Sequence, residues 1–175
     1  MTKFIFVRHG EPDYPSTLDW QKMSLAKNFA GLTEMGINQI KNACNELKKY
    51  DAKIIISSPF TRTMQGAAIM AKELNLDVVV EHDLYEWQAD LTYSIEDDDE
   101  LTVLVNEYNE LNGIVPEGET RVWETTDRVR NRVLKVLNKY MDYDCVIVSG
   151  HGMMTEAVLG YKTGLDYGQI VEIVI

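Results

Sequence analysis

The chain has 175 residues, of which 45% are hydrophobic and 26% charged, and it carries a formal net charge of −11. These proportions are ordinary for a soluble globular protein, and the length fits a single domain, which we place at 1–175. The acidic balance argues against a nucleic-acid partner, and no apolar run approaches the roughly 20 residues that cross a bilayer, so no membrane partner is expected.

The first residues give no sign of export. The apolar stretch around Phe4 is too short for the core of a signal peptide, and no small-residue cleavage site follows it. We therefore expect a cytoplasmic protein. Cys44 and Cys145 are interpreted as small packed side chains, because two thiols in an intracellular chain seldom form a disulfide.

Apolar runs alternate with segments of helical periodicity along the chain. Strands are predicted at 4–7, 54–56, 78–80, 146–148 and 170–175. Helices are predicted at 33–50, 59–74, 119–141 and 153–161, with Thr33 as the N-cap of the first and Pro59 in the first turn of the second. Continuous apolar strands separated by helices indicate an α/β three-layer sandwich, a mostly parallel sheet of about five to six strands with helices on both faces.

The segment at about 84–118 differs from the rest of the chain. It is polar, it carries the acidic run Asp97-Asp98-Asp99-Glu100, and its helical periodicity is clear only near 101–111. We interpret it as an excursion from the sheet, with one helix, lying beside the active site. The acidic run is interpreted as a solvated helix start, because acids stabilise the first turn of a helix.

Three tryptophans are candidates for lining a substrate pocket, namely Trp20, Trp87 and Trp123. Trp123 falls inside the helix predicted at 119–141, where Val122 is expected to face inward, and is interpreted as a core residue. Trp87 follows Glu86 and is the better candidate for contact with a substrate.

Residues suited to binding or catalysis fall at or shortly after the carboxyl ends of the predicted strands, where open parallel sheets bind their ligands. They are Arg8, His9, Gly10, Ser57, Arg62, Glu86, His151 and Gly152. Taken singly, each is better explained as a surface or packing residue. Together, at the ends of successive strands, they predict one crevice that holds two histidines, two arginines and a carboxylate.

This set of side chains suits phosphoryl transfer. Arginine forks grip anionic oxygens, a neutral imidazole can attack phosphorus and carry the group covalently, and a carboxylic acid can protonate the leaving oxygen. The glycines beside each histidine let the backbone approach a phosphate, and the helix predicted after Gly152 offers free N–H groups to an anion.

Neither a metal nor a cofactor is expected. The three histidines do not have the spacing of metal ligands. His82 follows a strand without a partner motif and is interpreted as a surface histidine.

These segments together resemble the signature of the histidine phosphatase superfamily, in its phosphoglycerate-mutase-like branch. The resemblance begins at Arg8-His9-Gly10 and continues in chain order over nearly the whole length. The later motifs are LTEMGINQ from Leu32, SSPFTRTMQ from Ser57, LYE from Leu84, EGET from Glu117 and GHG from Gly150.

The resemblance implies that His9 becomes phosphorylated, that Arg8, Arg62 and His151 hold the phosphate, and that Glu86 is the proton donor. Ser57, Gly10 and Gly152 are expected to contact the phosphate site. Glu11 directly follows the Arg-His-Gly turn and is a competing candidate for the acid. Glu86 ranks first because it matches the acid position of the family.

The predicted function is metal-independent hydrolysis of a phosphomonoester, with a small phosphorylated metabolite as the partner and a monomer or homodimer as the active form. Alternatives are mutase-type phosphotransfer, a protein phosphohistidine phosphatase, and a non-catalytic binder of phosphorylated ligands. Two departures from the pattern of the mutases favour hydrolysis. The run Glu11-Pro12-Asp13-Tyr14 lacks the hydroxyl residue and the asparagine that mutases carry there, and Gly66 replaces a common threonine.

Overall fold

The computed structural model describes residues 1–14 and 23–175. Its strands are β1 (Lys3–Arg8), β2 (Ile55–Ser57), β3 (Val78–Val80), β4 (Cys145–Gly150) and β5 (Ile170–Val174). They form one sheet in the order β3-β2-β4-β1-β5. The first four strands are parallel to one another, and β5 runs antiparallel to β1. The predicted mostly parallel sheet is therefore confirmed.

Helices cover both faces of this sheet. In the described residues they are α1 (Met23–Phe29), α2 (Glu34–Leu47), α3 (Thr61–Leu74), α4 (Asp98–Glu110), α5 (Thr126–Leu137) and α6 (Gly152–Leu159), with short 3-10 turns at His82–Leu84 and Asn138–Tyr140. One apolar cluster joins α2 and α3 to one face, and a second joins α4, α5 and α6 to the other. The predicted three-layer α/β sandwich is confirmed.

Alternation along β1 explains how one strand serves both clusters. Phe4 and Phe6 pack with the second group of helices, whereas Ile5 and Val7 pack with α2 and α3. All four are at most 1% exposed. Since successive side chains of a strand point to opposite faces, a continuous apolar run requires a cover on each side.

The helix predicted at 119–141 begins later than expected. The structure has α5 at Thr126–Leu137, with the Thr125 side chain accepting a hydrogen bond from the N–H of Arg128. Val122, expected to face inward, is 42% exposed. The segment before the helix instead bonds to the excursion, through Val122 O to Leu91 N at 2.8 Å and Glu124 N to Gln88 O at 2.9 Å.

Other interpretations of single residues hold. The acidic run does start a helix, because Asp97 caps α4 through the N–H of Glu100. Cys44 and Cys145 are buried free thiols in the cluster under α2 and α3. None of the described helices combines the length and the apolar character that a bilayer crossing requires.

Two glycines fix the junction between β1 and α2. A Cβ on Gly10 would lie 2.1 Å from the carbonyl oxygen of Gly36, and a Cβ on Gly36 would lie 2.3 Å from the carbonyl oxygen of Glu11. The side chain of Thr33 caps α2 by accepting from Gly36 N at 2.9 Å, and Thr33 N donates to Glu11 O at 3.0 Å. The residues that follow β1 are therefore pressed directly against the first turn of α2.

Gly36→Ala should lower the free energy of unfolding by about 1–3 kcal/mol, because the new methyl group meets backbone that cannot move aside. The measurement is urea denaturation followed by circular dichroism. Gly66→Ala is the matched control, since its Cβ would meet only ordinary contacts at 3.6 Å or more. It should instead stabilise α3 by about 0.5–1 kcal/mol. Equal stability of the two variants would contradict this account of the junction.

Candidate active site

His9 lies directly after β1, where the end of that strand meets the end of β4. Its backbone N–H donates to Gly150 O at 3.0 Å, and the residue is 4% exposed. The ring nitrogen Nδ1 lies 2.7 Å from Gly10 O. Because a carbonyl oxygen only accepts hydrogen bonds, this contact places the proton on Nδ1 and leaves a lone pair on Nε2.

Arg62 connects the two histidines. It is 4% exposed and lies in the first turn of α3. Its Nε donates to His9 Nε2 at 3.1 Å, its Nη2 lies 3.4 Å from His151 Nδ1, and its Nη1 donates to Lys27 O at 2.9 Å. Since a guanidinium can only donate, both imidazole nitrogens that face it must be unprotonated.

Burial and positive charge keep both histidines neutral. Burial lowers the pKa of His9 to about 3, with Arg62 and Arg8 acting in the same direction. Burial also lowers the pKa of His151 well below its ordinary value, again assisted by Arg62. Two neutral imidazoles therefore face one guanidinium, an arrangement that leaves His9 Nε2 nucleophilic at neutral pH.

His151 is fully buried and forms the second side of the hollow. Its ring centroid lies 5.3 Å from that of His9 at an interplanar angle of 69°. Its Nε2 lies 2.7 Å from Ser58 Oγ. With Nδ1 accepting from Arg62, the proton sits on Nε2 and is donated to the serine hydroxyl, which fixes the orientation of the ring.

Arg8 supplies a second cation at the end of β1. Its guanidinium carbon lies 4.3 Å from the ring centroid of Tyr167, and its Nη1 donates to Leu165 O. Among residues 1–14 and 23–175, its buried Nε finds no hydrogen-bond partner. A buried unpaired donor is costly, so this N–H is available to an oxyanion.

Glu86 lies at the N-terminus of α6. Its carboxylate accepts from Met154 N at 2.9 Å, Met153 N at 3.3 Å and Trp87 N at 2.8 Å. Burial raises the pKa of Glu86, although these hydrogen bonds and Arg62 oppose the shift. The free N–H groups that the sequence predicts for this helix thus hold the carboxylate of the chain itself.

Other predicted residues have contacts of a different kind. Glu11 Oε2 accepts from Thr33 Oγ1 at 2.6 Å, so this carboxylate lies at the cap of α2. Ser57 Oγ donates to Ser58 O at 2.9 Å. Gly10 is required by its contact with Gly36, whereas a Cβ on Gly152 would meet Arg8 at an ordinary 3.5 Å.

Sequence reasoning missed three residues of the site. Ser58, not the neighbouring Ser57, bonds to His151. The ring centroid of Tyr167 lies 5.6 Å from that of His9 and also stacks on Arg8. The charges of Arg62, Arg8 and Glu86 all act on the Tyr14 phenol, whose pKa is raised by burial. Ser58 could have been found in the Ser-Ser pair, but the tyrosines lie in loops without a recognisable motif.

The other candidates in the described residues have different surroundings. His82 is exposed and pairs with Asp83, as expected of a surface residue. Trp87 and Trp123 are both buried against Tyr108, so neither indole is free for a substrate, and Trp20 lies outside the described residues. Within 1–14 and 23–175, no cluster of three His, Cys, Asp or Glu side chains suited to a metal ion is present.

Known proteins share both the sequence pattern and the fold. The model of the family described as "Histidine phosphatase superfamily (branch 1)" matches residues 4–175. The uncharacterized phosphatase PhoE of Bacillus subtilis is 29% identical over 166 residues, which cover 95% of this chain and 80% of that protein. The 2,3-bisphosphoglycerate-dependent phosphoglycerate mutase of Thermoplasma acidophilum is 38% identical over 82 residues, 47% of this chain and 40% of the mutase. That match spans less than half of the mutase.

A solved structure gives the same architecture over the whole chain. Bacillus stearothermophilus YhfR superposes with a TM-score of 0.74, covering 100% of this chain and 92% of its own, at 16% identity. At this identity the likeness is one of fold, and it agrees with the five-stranded α/β sheet described above.

The His9 ring should remain neutral, with its proton on Nδ1, down to about pH 5, because burial and Arg62 disfavour the imidazolium. Nitrogen-15 NMR of labelled imidazoles measures this directly. Nδ1 should show the shift of a protonated nitrogen and Nε2 that of a bare one, without change from about pH 8 to pH 5. A titration near the ordinary histidine pKa of 6.5 would contradict the arrangement. The His82→Ala variant assigns the signal of the exposed histidine.

Proposed function

Because the chain belongs to the histidine phosphatase superfamily (branch 1), we propose that it hydrolyses phosphomonoesters of small metabolites through a phosphohistidine on His9, without a metal ion. The observation that carries the proposal is the unprotonated Nε2 of His9, which faces the Arg62 guanidinium at 3.1 Å. A neutral nitrogen nucleophile beside a fixed cation is what attack on an anionic phosphoryl group requires.

As the phosphoryl group enters, Arg62 Nε would transfer its hydrogen bond from His9 Nε2 to a phosphoryl oxygen, which frees the lone pair of that nitrogen. In the first step, His9 Nε2 then forms a bond to phosphorus while the bond from phosphorus to the leaving oxygen breaks. The ring becomes positively charged as the N–P bond forms. Its Nδ1–H, which donates to Gly10 O at 2.7 Å, then strengthens its hydrogen bond and stabilises that charge. Water attacks the phosphohistidine in the second step, releasing inorganic phosphate and restoring the neutral ring.

Arg62, Arg8 and His151 would bind the phosphoryl oxygens. The Nε–H of Arg8 and the two Arg62 N–H groups that face the histidines would donate to the equatorial oxygens, the Arg62 groups exchanging their imidazole acceptors for the phosphate. Burial and then Arg62 lower the pKa of His151, and a bound dianionic phosphate would oppose the contribution of Arg62. Once Arg62 Nη2 turns from His151 Nδ1 to a phosphoryl oxygen, Nδ1 would take a proton and donate it to the phosphoryl group, while Nε2 keeps its bond to Ser58.

Glu86 would act as the general acid and then as the base. Its pKa is raised by burial, which favours the protonated form needed to donate to the leaving oxygen. The resulting carboxylate is stabilised by Met153 N and Met154 N at the N-terminus of α6, ready to accept a proton from water. Glu11 is the weaker candidate, because its carboxylate lies at the cap of α2, whereas Glu86 is buried and interacts with the charge of Arg62.

Mutase activity is the second candidate, since two relatives bear phosphoglycerate mutase names. A mutase must shield its phosphohistidine from water until the group returns to the product. Product analysis separates the two functions, because a phosphatase releases inorganic phosphate and a mutase moves the group between positions of phosphoglycerate. The departures at Glu11-Pro12-Asp13-Tyr14 support hydrolysis.

His9→Ala should abolish p-nitrophenyl phosphate hydrolysis, a fall of about 10³-fold or more, because the nucleophile is lost. It should also remove acid-labile, base-stable phosphate labelling of the denatured protein. The assay contains EDTA, so loss of native activity under chelation would argue against the metal-free mechanism. His82→Ala, which removes an exposed histidine, is the control and should keep both signals.

Glu86→Gln should slow an alkyl phosphate such as glycerol 2-phosphate by about 10²-fold or more, because its leaving oxygen needs a proton. p-Nitrophenyl phosphate leaves without one and should slow by less than about tenfold. The ratio of the two kcat/KM values is the measurement. A change of this ratio in Glu11→Gln, with none in Glu86→Gln, would assign the acid to Glu11 and overturn the role given to Glu86.

A further inference from the structure

A buried ion pair lies behind the segment that carries Glu86. Glu124 is fully buried, and its two oxygens accept from Arg132 Nε at 2.8 Å and Nη2 at 2.9 Å. The Arg132 side chain is 9% exposed. Burying two charges costs desolvation, so such a pair is weak evidence for a gain in stability. Other contacts of this pair are made with the residues on either side of Glu86.

The remaining nitrogen of Arg132 is directed at the backbone before Glu86. Nη1 donates to Asp83 O and to Tyr85 O, at 2.7 Å each. The guanidinium carbon also lies 3.6 Å from the ring centroid of Tyr85, whose hydroxyl lies 3.4 Å from Glu124 Oε1. One side chain thus holds both the carbonyl and the ring of the residue that precedes Glu86.

Glu124, which pairs with Arg132, contacts the residue that follows Glu86. The backbone oxygen of Glu124 accepts from Trp87 Nε1 at 2.6 Å. Tyr85 and Trp87, the two neighbours of Glu86, are therefore both bound to the ion pair. Between them the Glu86 side chain extends the other way, to the N-terminus of α6.

We propose that Arg132, fixed by Glu124, is a positioning residue that sets the orientation of Glu86 for proton transfer. The inference rests on the proposed function, because it concerns the acid of that reaction. Arginine suits the task since its planar fork binds a carboxylate with two nitrogens and still offers a third to carbonyl groups. A lysine keeps the charge but cannot hold all three acceptors in one plane.

Arg132→Lys is the test, with kcat/KM measured for p-nitrophenyl phosphate and for phenyl phosphate. The two substrates are similar in size, but the phenol of phenyl phosphate, like that of tyrosine with a pKa of about 10, leaves poorly without a proton. Misplacing the acid should therefore slow phenyl phosphate about tenfold more than p-nitrophenyl phosphate. A merely structural role would slow both equally.

A double-mutant cycle with Glu86→Gln shows whether the effect of Arg132→Lys acts through Glu86. Once the acid is gone, Arg132→Lys should no longer change the ratio between the two substrates. If Arg132→Lys does not fold, Glu124→Gln carries the same comparison, since it loosens the same guanidinium and keeps the carbonyl that holds Trp87.

Arg128→Lys is the matched control. Arg128 lies on the same helix, with its Nε 3.8 Å from Glu124 Oε1, but its side chain is 59% exposed. This variant should leave the ratio unchanged. An equal loss on both substrates in Arg132→Lys, or an equal shift of the ratio in the Glu86→Gln background, would overturn the positioning role.

Failure of the proposed function gives a different result. In that case the native protein would hydrolyse neither substrate and would carry no phosphate on His9, which would overturn the positioning role as well. When the native protein forms phosphohistidine and Glu86→Gln changes the ratio of the two kcat/KM values, the proposed function holds. The Arg132→Lys measurements then test the positioning role separately.

Discussion

The contact on which the site depends is the one between Arg62 and the two histidines. One guanidinium donates to His9 Nε2, lies against His151 Nδ1 and also donates to Lys27 O. It determines which nitrogens can carry protons, and with burial it lowers the pKa of both rings. The sheet places these residues, since β1, β2 and β4 end at the same edge and deliver His9, the start of α3 and His151 to one point.

Much of this could be read from the sequence because local chemistry and tertiary packing agree. Continuous apolar runs such as 146–148 become parallel strands buried on both faces, and Thr33 caps a helix just where its side chain predicts one. Because such strands are apolar on both faces, helices cover both faces of the sheet. The side chains that the structure brings together at the strand ends follow from this topology, since parallel strands share a carboxyl edge.

What the sequence could not predict depends on contacts between distant segments. The start of α5 at Thr126 is set by pairing of the preceding residues with the loop near Gln88, which overrides a helical pattern that began earlier. Gly10 suggested space for a ligand, but it is Gly36, far along the chain, that occupies that space. Tyr167 lies in the site next to Gly168, whose N–H donates to Arg8 O, a contact between distant segments that no local motif indicates.

The lowered pKa of His9 also affects how the stability of the fold depends on pH. The pKa of His9 is about 3 in the folded protein, against an ordinary value of 6.5. Between pH 3 and pH 6.5, the unfolded chain therefore binds a proton at His9 that the folded chain does not bind. The free energy of unfolding therefore decreases as pH falls from about 6.5 towards 3, and the lowered pKa of His151 contributes to the same decrease. Acidification therefore lowers the free energy of unfolding over a pH range in which His9 of the folded protein is still neutral.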